Sequence, residues 1–99
     1  NGARPSFLWQ AKQSQFVMSL CADLQGRIWI GTEDKGLWRF DPKAPSNTQW
    51  KQFTITEGLG DNSIYALACD KKGRIWAGQG SHGVSVFNGE EWQNYDLLD

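Results

Sequence analysis

The residues that could carry catalysis or bind a metal are few and far apart. His82 is the only histidine in the 99 residues, so histidine ligands cannot form a metal cluster within one chain. Asp23 and Asp70 each begin a turn, but neither is followed by the alternating oxygen ligands and the glutamate at position 12 of an EF-hand calcium loop. We therefore expect no catalytic residue, no metal site and no cofactor.

The segment GQGSHG at 78–83 matches the dinucleotide-binding pattern G-x-G-x-x-G letter for letter. In that pattern the glycines open a helix, whose N-terminus then holds the pyrophosphate. Here VSVF follows, and its β-branched and aromatic residues predict a strand. We interpret the segment as a glycine-rich loop between two strands.

An internal repeat defines the elements that position these residues. GRIWIG at 26–31 and GRIWAG at 73–78 are nearly identical and lie 47 positions apart. After Phe87 the offset falls to 42, because WKQF at 50–53 resembles WQNY at 92–95. A period of about 40–50 residues is typical of solenoids, arrays and propellers. The residues that we assign to the structural repeat are Asp23, Gly26, Trp29, Gly31, Asp70, Gly73, Trp76 and Gly78.

Each repeat is predicted to form four short antiparallel strands. In the second copy these are IYALAC at 64–69, RIWAG at 74–78, GVSVF at 83–87 and EWQNYD at 91–96. The first two are apolar on both sides, which predicts inner strands covered on both faces, whereas the fourth is polar and suits a wet edge. This is the pattern of a β-propeller blade, so the fold class is all-β, with blade 1 at 16–56 and blade 2 at 57–99.

The predicted turns follow from their aspartate, asparagine and glycine residues. In DLQG and DKKG the aspartate can accept hydrogen bonds from later amides, and the glycine suits a left-handed position. Arg27 and Arg74 follow these turns, where each can pair with the aspartate or pack over a tryptophan. Asn88-Gly89 predicts a two-residue type I′ turn between the last two strands.

The two copies resemble the two-component-regulator propeller repeat. The residues that carry the resemblance are Asp-x-x-Gly-Arg-Ile-Trp-x-Gly in both copies and GLWRFD at 36–41 in the first, whereas the second copy departs from it with GVSVFNG at 83–89. The resemblance spans about residues 16–96. It implies a ligand-sensing domain in the periplasm or outside the cell, attached to a hybrid histidine kinase.

Two blades are too few to close a propeller, which usually has about four to eight. Either copies of the chain assemble into a ring, or a longer protein, of which the chain is a middle part, supplies the remaining blades. The segment 1–15 is expected to include, at residues 7–9, an outer strand for a neighbouring blade.

Charge and hydropathy exclude some classes of binding partner. Ten basic and eleven acidic residues do not predict binding to nucleic acid, and no run approaches the roughly 18 apolar residues that insert into a membrane. A small molecule or carbohydrate is the expected ligand.

Loops between the second and third strands, and between blades, gather on one face of a propeller. The ligand-binding candidates there are Asp34, Lys35, Ser81, His82, Glu57, Asp61 and Asn62, and for each the alternative is a solvated loop side chain.

The cysteines give no disulfide framework. Cys21 lies five residues before Gly26, but Cys69 lies four before Gly73, so in strands the two thiols point to opposite faces. We expect both to be buried free thiols, which leaves the redox compartment undetermined.

The functional hypotheses are a non-catalytic ligand-sensing module, a protein-interaction scaffold and, as the weakest, an enzyme with carboxylates around the propeller axis.

Overall fold

The computed structural model describes residues 17–80 and 83–96. They form two four-stranded antiparallel sheets in which strands pair in chain order, as predicted for two propeller blades. The strands are β1 (Val17–Ala22), β2 (Ile28–Thr32), β3 (Leu37–Phe40) and β4 (Trp50–Phe53) in blade 1, and β5 (Ile64–Cys69), β6 (Ile75–Gln79), β7 (Gly83–Phe87) and β8 (Trp92–Asp96) in blade 2. Short 3-10 helices occupy Ser46–Thr48 and Ile55–Glu57. The strand expected at residues 7–9 lies outside the described residues.

The turns between the first two strands of each blade confirm the prediction from aspartate and glycine. In blade 1 the Asp23 amide donates to the Arg27 carbonyl at 2.9 Å, and Gly26 has a φ of 79°. In blade 2 the Asp70 amide donates to the Arg74 carbonyl at 2.9 Å, and Gly73 has a φ of 84°. Glycine adopts these positive φ values without the steric cost that a Cβ would bring.

The turn between β7 and β8 lies one residue later than predicted. Asn88 donates its amide to the Glu91 carbonyl at 3.2 Å, so these two residues close the turn and its tip is Gly89-Glu90. The Asn88 side chain does not enter the tip. Instead its oxygen accepts from the amides of Glu90 (2.8 Å) and Glu91 (3.0 Å), which is the local bonding that competes with a type I′ turn.

The first strand of each blade is not covered on both faces, contrary to the expectation from its apolar sequence. Val17 and Leu20 of β1 are 48% and 62% exposed, and Tyr65 of β5 is also exposed. The reason is geometric, since each blade has a neighbouring blade on only one of its two sides. The same expectation is confirmed for the second strand of blade 1, because Trp29 and Ile30, neighbours on β2 that point to opposite faces, both lie in the interior.

The main core lies between the two blades, in what we call the seam. Blade 1 contributes its front face, defined by Trp29, Gly31, Leu37 and Phe53, and blade 2 its rear face, defined by Ile64, Leu67, Ile75 and Phe87. The Phe53 and Phe87 rings lie 5.2 Å apart. Fully burying one such side chain contributes roughly 1.5–3 kcal/mol, so the seam is a principal source of stability.

A disulfide between Cys21 and Cys69 crosses the seam, and the expectation of free thiols is therefore wrong. Both cysteines lie on inner strands, with their Cα atoms 6.1 Å apart. They meet because Cys21 points forward from blade 1 while Cys69 points backward from blade 2. Beside them the Ser19 hydroxyl accepts the Leu67 amide at 2.9 Å, a second direct link between β1 and β5.

The disulfide should make a large contribution to stability, because it closes a loop between residues 48 positions apart. The loop-closure entropy predicts a loss of about 4 kcal/mol in the free energy of unfolding when Cys21 and Cys69 are both changed to serine. Urea unfolding with and without reductant measures this. Reductant should destabilise the parent chain and leave the double-serine variant unchanged. Two titratable thiols in the unfolded, unreduced parent chain would contradict the pairing.

The close contact at Gly31 supplies a second prediction. A Cβ at Gly31 would lie 2.7 Å from Cγ2 of Ile64, whereas a Cβ at the equivalent Gly78 would meet only Ala66, at 3.4 Å. We expect Gly31→Ala to lower the free energy of unfolding by about 1–3 kcal/mol through overpacking, and Gly78→Ala to leave it within about 0.5 kcal/mol. Chemical denaturation of the two variants checks this. Equal losses would show that the seam does not set the difference.

Candidate functional site

Each blade contains the same polar network, formed by an aspartate, an arginine and a tryptophan. In blade 1 the Asp23 carboxylate accepts from Nε of Arg27 at 2.7 Å and from the Trp29 indole at 2.8 Å. In blade 2 the Asp70 carboxylate accepts from Arg74 at 2.7 Å and from the Trp76 indole at 2.9 Å. Since every polar partner belongs to the same hairpin, we assign these networks to blade structure.

The electrostatics of the network favour an ionised aspartate. Burial raises the pKa of Asp23, but hydrogen bonds from Trp29, from the amide and side chain of Arg27 and from the Gln25 amide outweigh it, so the net pKa lies below its usual value. For Asp70 the hydrogen bond from the Trp76 indole is the largest cause of a lowered pKa. The Asp23 side chain is 3% exposed and that of Asp70 is 24% exposed.

Of the candidate loop residues, Asp34 and Lys35 lie together in the β2–β3 loop and are exposed. The backbone of the loop is fixed by Thr32 at the end of β2, because the Thr32 hydroxyl accepts the Lys35 amide at 3.0 Å and donates to the Gly36 carbonyl at 2.8 Å. The two side chains are therefore presented to solvent by a fixed backbone. Ser81 and His82, which were expected on the corresponding loop of blade 2, lie outside the described residues.

The candidates in the loop between blades hold that loop in place. The Glu57 carboxylate accepts the amide and the hydroxyl of Thr54, at 2.6 and 2.8 Å, which completes a capping box. Those hydrogen bonds lower the pKa of Glu57. Asp61 accepts the Ser63 amide and Asn62 accepts the Ile55 amide, each at 3.0 Å. Their polar atoms are thus already engaged within the loop.

Backbone hydrogen bonds connect this loop to the β2–β3 loop and to the segment that follows β6. The Asn62 carbonyl accepts the Gly36 amide at 2.8 Å, and the Ser63 carbonyl accepts the Gly80 amide at 2.8 Å. The structure therefore brings the β2–β3 loop and the loop between blades together on one side of the sheets, with Asp34, Lys35, Asp61 and Asn62 on them.

A polar cluster fixes the start of the same loop to blade 2. Buried Ser85 accepts the Gly60 amide at 3.0 Å and donates to the Asn94 side-chain oxygen at 2.6 Å, and it also contacts the Gln79 amide group. Asn94 in turn donates to the Gly58 carbonyl at 3.0 Å. Because every member bonds another, the cluster is read as structural.

A pocket of about 410 Å³ opens at the rim of the seam. Aromatic side chains from both blades provide its apolar surface, and charged groups surround them. The lining residues are Arg39, Lys51, Phe53, Glu57, Phe87, Gly89, Glu90 and Trp92.

The pocket carries hydrogen-bond donors without matching acceptors. Over residues 17–80 and 83–96, no carboxylate lies within ion-pair distance of Arg39 or Lys51. Their charged groups instead lie over the Phe53 ring, at 5.4 and 5.3 Å from its centroid. Burial, followed by repulsion from Arg27, lowers the pKa of Arg39. Within the same ranges the buried Trp92 indole N–H also has no acceptor.

Sequence reasoning missed this pocket, although one signal for it was present. Arg39 and Lys51 are directly opposite each other in the β3–β4 pairing, on the same side as Trp29 and Phe53. Alternation along β3 and β4 therefore places two cations on an otherwise apolar face. The other wall, from Phe87 to Trp92, depends on how the blades are stacked, and a linear pattern does not give that arrangement. Of the predicted candidates that the structure describes, only Glu57 lines the pocket.

The comparisons with known proteins agree with the geometry. The family model described as "two component regulator propeller" matches residues 12–34 and 58–80. A crystal structure of the extracellular domain of a hybrid two-component system from B. thetaiotaomicron matches with a TM-score of 0.67 and 29% identity over 84% of this chain. The present chain spans only 11% of that one. No curated protein matches.

The described residues contain no helix that is long and apolar enough to cross a membrane.

Substitution of the network aspartates should reveal their different burial. Asp23→Asn keeps one acceptor oxygen but replaces the oxygen that accepts hydrogen bonds from Arg27 and Trp29. We expect a loss of about 1–3 kcal/mol in the free energy of unfolding at pH 7. Asp70→Asn should cost less, because its side chain is more exposed. Urea unfolding of the two variants against the parent chain measures both losses.

The same pair predicts the pH dependence. Because the folded-state pKa values lie below the unfolded value of about 3.9, the stabilisation is fully present above roughly pH 5. It is lost as the pH falls toward the folded-state pKa. The difference between the parent chain and each asparagine variant should therefore shrink between pH 5 and pH 2. A difference that stays constant over this range would contradict a role for the ionised carboxylates.

Proposed function

The chain carries two repeats of the two-component-regulator propeller family, and from this premise we propose that it is a non-catalytic ligand-binding module of a sensor domain outside the cytoplasm. The structural neighbour supports the proposal, since it is the extracellular domain of a hybrid two-component system. The present chain accounts for a small part of such a protein, so signalling belongs to the whole.

The observation that carries the proposal is the rim pocket. Its walls come from both blades, which is typical of ligand sites at the junction of two packed units. Three aromatic rings form its apolar surface, from Phe53, Phe87 and Trp92, and Arg39 and Lys51 supply positive charge. Two carboxylates, of Glu57 and Glu90, also line the pocket, but that of Glu57 already accepts from Thr54. The ligand that matches this set has an apolar ring face and an anionic group. An acidic sugar has both, because the C–H face of the ring packs on aromatics and its carboxylate accepts from the cations.

The inter-blade disulfide supports the location. Disulfides persist in oxidising compartments such as the periplasm and the cell exterior, and are rare where thiols are kept reduced. Cys21 and Cys69 are bonded directly across the seam. A periplasmic or extracellular location therefore fits both the covalent structure and the neighbour.

The absence of catalysis is part of the same proposal. In the described residues the two aspartates with lowered pKa values are fixed by hydrogen bonds within their own hairpins, and Glu57 is bonded by Thr54. Groups held in this way stabilise turns and loops. An active acid or base would need a pKa close to the working pH, and these carboxylates are shifted away from it.

Glucuronate and glucose provide a matched pair of probes, because they differ only at the C6 carboxylate. We expect glucuronate to shift the Trp92 indole resonance in two-dimensional NMR titrations and to bind with a Kd at least about tenfold lower than that of glucose. Lys51→Gln should remove most of this preference. Lys35→Gln, an exposed cation on the β2–β3 loop, is the matched control and should not.

The outcomes distinguish the possible sites. Loss of binding in Lys35→Gln, with Lys51→Gln unaffected, would move the ligand to the loop side that carries Asp34, Lys35, Asp61 and Asn62. Equal binding of both sugars would exclude an acidic ligand at the rim. If neither sugar binds, the second hypothesis, a protein-interaction scaffold, gains support from the exposed apolar residues of the blade faces, among them Leu20 and Tyr95.

A further inference from the structure

The seam provides a template for a second interface, which residues 17–80 and 83–96 do not make among themselves. It joins two unlike surfaces, the front face of blade 1 and the rear face of blade 2. Since the two blades are copies of one repeat, each also has the opposite face. Blade 2 has its own front face, and blade 1 has its own rear face. This inference is independent of the ligand proposed above.

The front face of blade 2 repeats the apolar features of blade 1. Trp76 stands where blade 1 has Trp29, and Gly78 where it has Gly31. Val84 pairs with both Gly78 and Tyr95, as Leu37 pairs with both Gly31 and Phe53. No described residue occupies this face as blade 2 occupies that of blade 1. Tyr95 is 53% exposed, and a Cβ at Gly78 would meet only Ala66, on the neighbouring strand of the same sheet.

The rear face of blade 1 repeats that of blade 2. Val17 is the counterpart of Ile64, which packs against Gly31, and Leu20 is the counterpart of Leu67. The aromatic pair is also formed in advance. Phe40 and Trp50 have ring centroids 4.3 Å apart, compared with 4.8 Å for Phe87 and Trp92 in the seam. Val17 and Leu20 are exposed, although their counterparts Ile64 and Leu67 are packed into the seam.

We propose that the front face of blade 2 docks onto the rear face of blade 1 in a second copy of this chain, in the same head-to-tail arrangement as the seam. Val17 of that copy then fills the space over Gly78, as Ile64 does over Gly31. Trp76 and Tyr95 meet the Phe40 and Trp50 pair. The argument is continuity with an existing interface, because the main apolar contacts of the seam have counterparts of the same chemical type.

The interface between copies lacks the disulfide and the serine hydrogen bond of the seam. Ala68 stands where blade 1 has Cys21, and Ala22 where blade 2 has Cys69. Ala66 likewise replaces Ser19, whose hydroxyl accepts an inter-blade amide in the seam. Association between copies is therefore non-covalent, weaker than the seam and dependent on concentration. A head-to-tail contact closes when the rotation permits, and three or four copies would give six or eight blades, within the usual range of about four to eight.

Sedimentation velocity over a concentration series tests the proposal on the disulfide-bonded chain. We expect reversible association of the parent chain, with an apparent Kd weakened by more than about tenfold in Gly78→Val, which blocks the front face of blade 2, and in Val17→Lys, which charges the rear face of blade 1. Urea unfolding of each variant shows whether the monomer fold is intact. A Cβ at Gly78 makes only ordinary van der Waals contact, with Ala66 at 3.4 Å, so Gly78→Val should fold normally.

Mixing the two variants is the decisive measurement. Gly78→Val keeps an intact rear face and Val17→Lys an intact front face, so a head-to-tail interface predicts a one-to-one complex from two proteins that do not self-associate. A parent chain that remains monomeric at about millimolar concentration would overturn the proposal. So would association that persists in both folded variants, or a mixture that forms no complex.

Discussion

The structure depends on one constraint, which is that each blade is a sheet with two apolar faces and packs against one neighbour. The chain meets it by placing Ile64 against Gly31 and Phe87 against the Trp29–Phe53 stack. Other links lie along the margins of that contact. The disulfide and the Ser19 hydroxyl join the inner strands, and the Asn62 carbonyl joins the loop between blades to the β2–β3 loop.

The repeated and the unrepeated residues have different roles. The aspartate, arginine and tryptophan that recur in each hairpin satisfy one another within that hairpin, so they serve the blade alone. The cations of the rim pocket do not recur. The register places Val86 where blade 1 has Arg39, and Gln93 where it has Lys51. Binding specificity in a repeat protein is expected at such positions, because a residue that every blade needs cannot distinguish one blade from another.

The sequence pattern correctly predicted those features that depend on neighbouring residues alone. The limits of β5 and β7 and the glycines of the first turns follow from alternation and from turn chemistry, and these were confirmed. The cysteine pairing was not predicted by this reasoning. That Cys21 and Cys69 point to opposite faces was correct, and in stacked blades it is the condition for meeting, yet it was interpreted as keeping them apart. Likewise Asn88 bonded its own neighbours instead of entering the turn, and the rim pocket required the stacking of blades, which no single strand specifies.

The position of the disulfide links stability to binding. It occurs at one seam, since alanines replace both cysteines on the outward faces, so the two blades form a covalently fixed pair. The rim pocket lies within this fixed pair, and its walls, Phe53 from blade 1 and Phe87 and Trp92 from blade 2, are held in register before any ligand arrives. A ligand that bridges them does not spend binding free energy on aligning the blades. The same covalent link that stabilises the fold thereby preorganises a pocket to which both blades contribute aromatic walls.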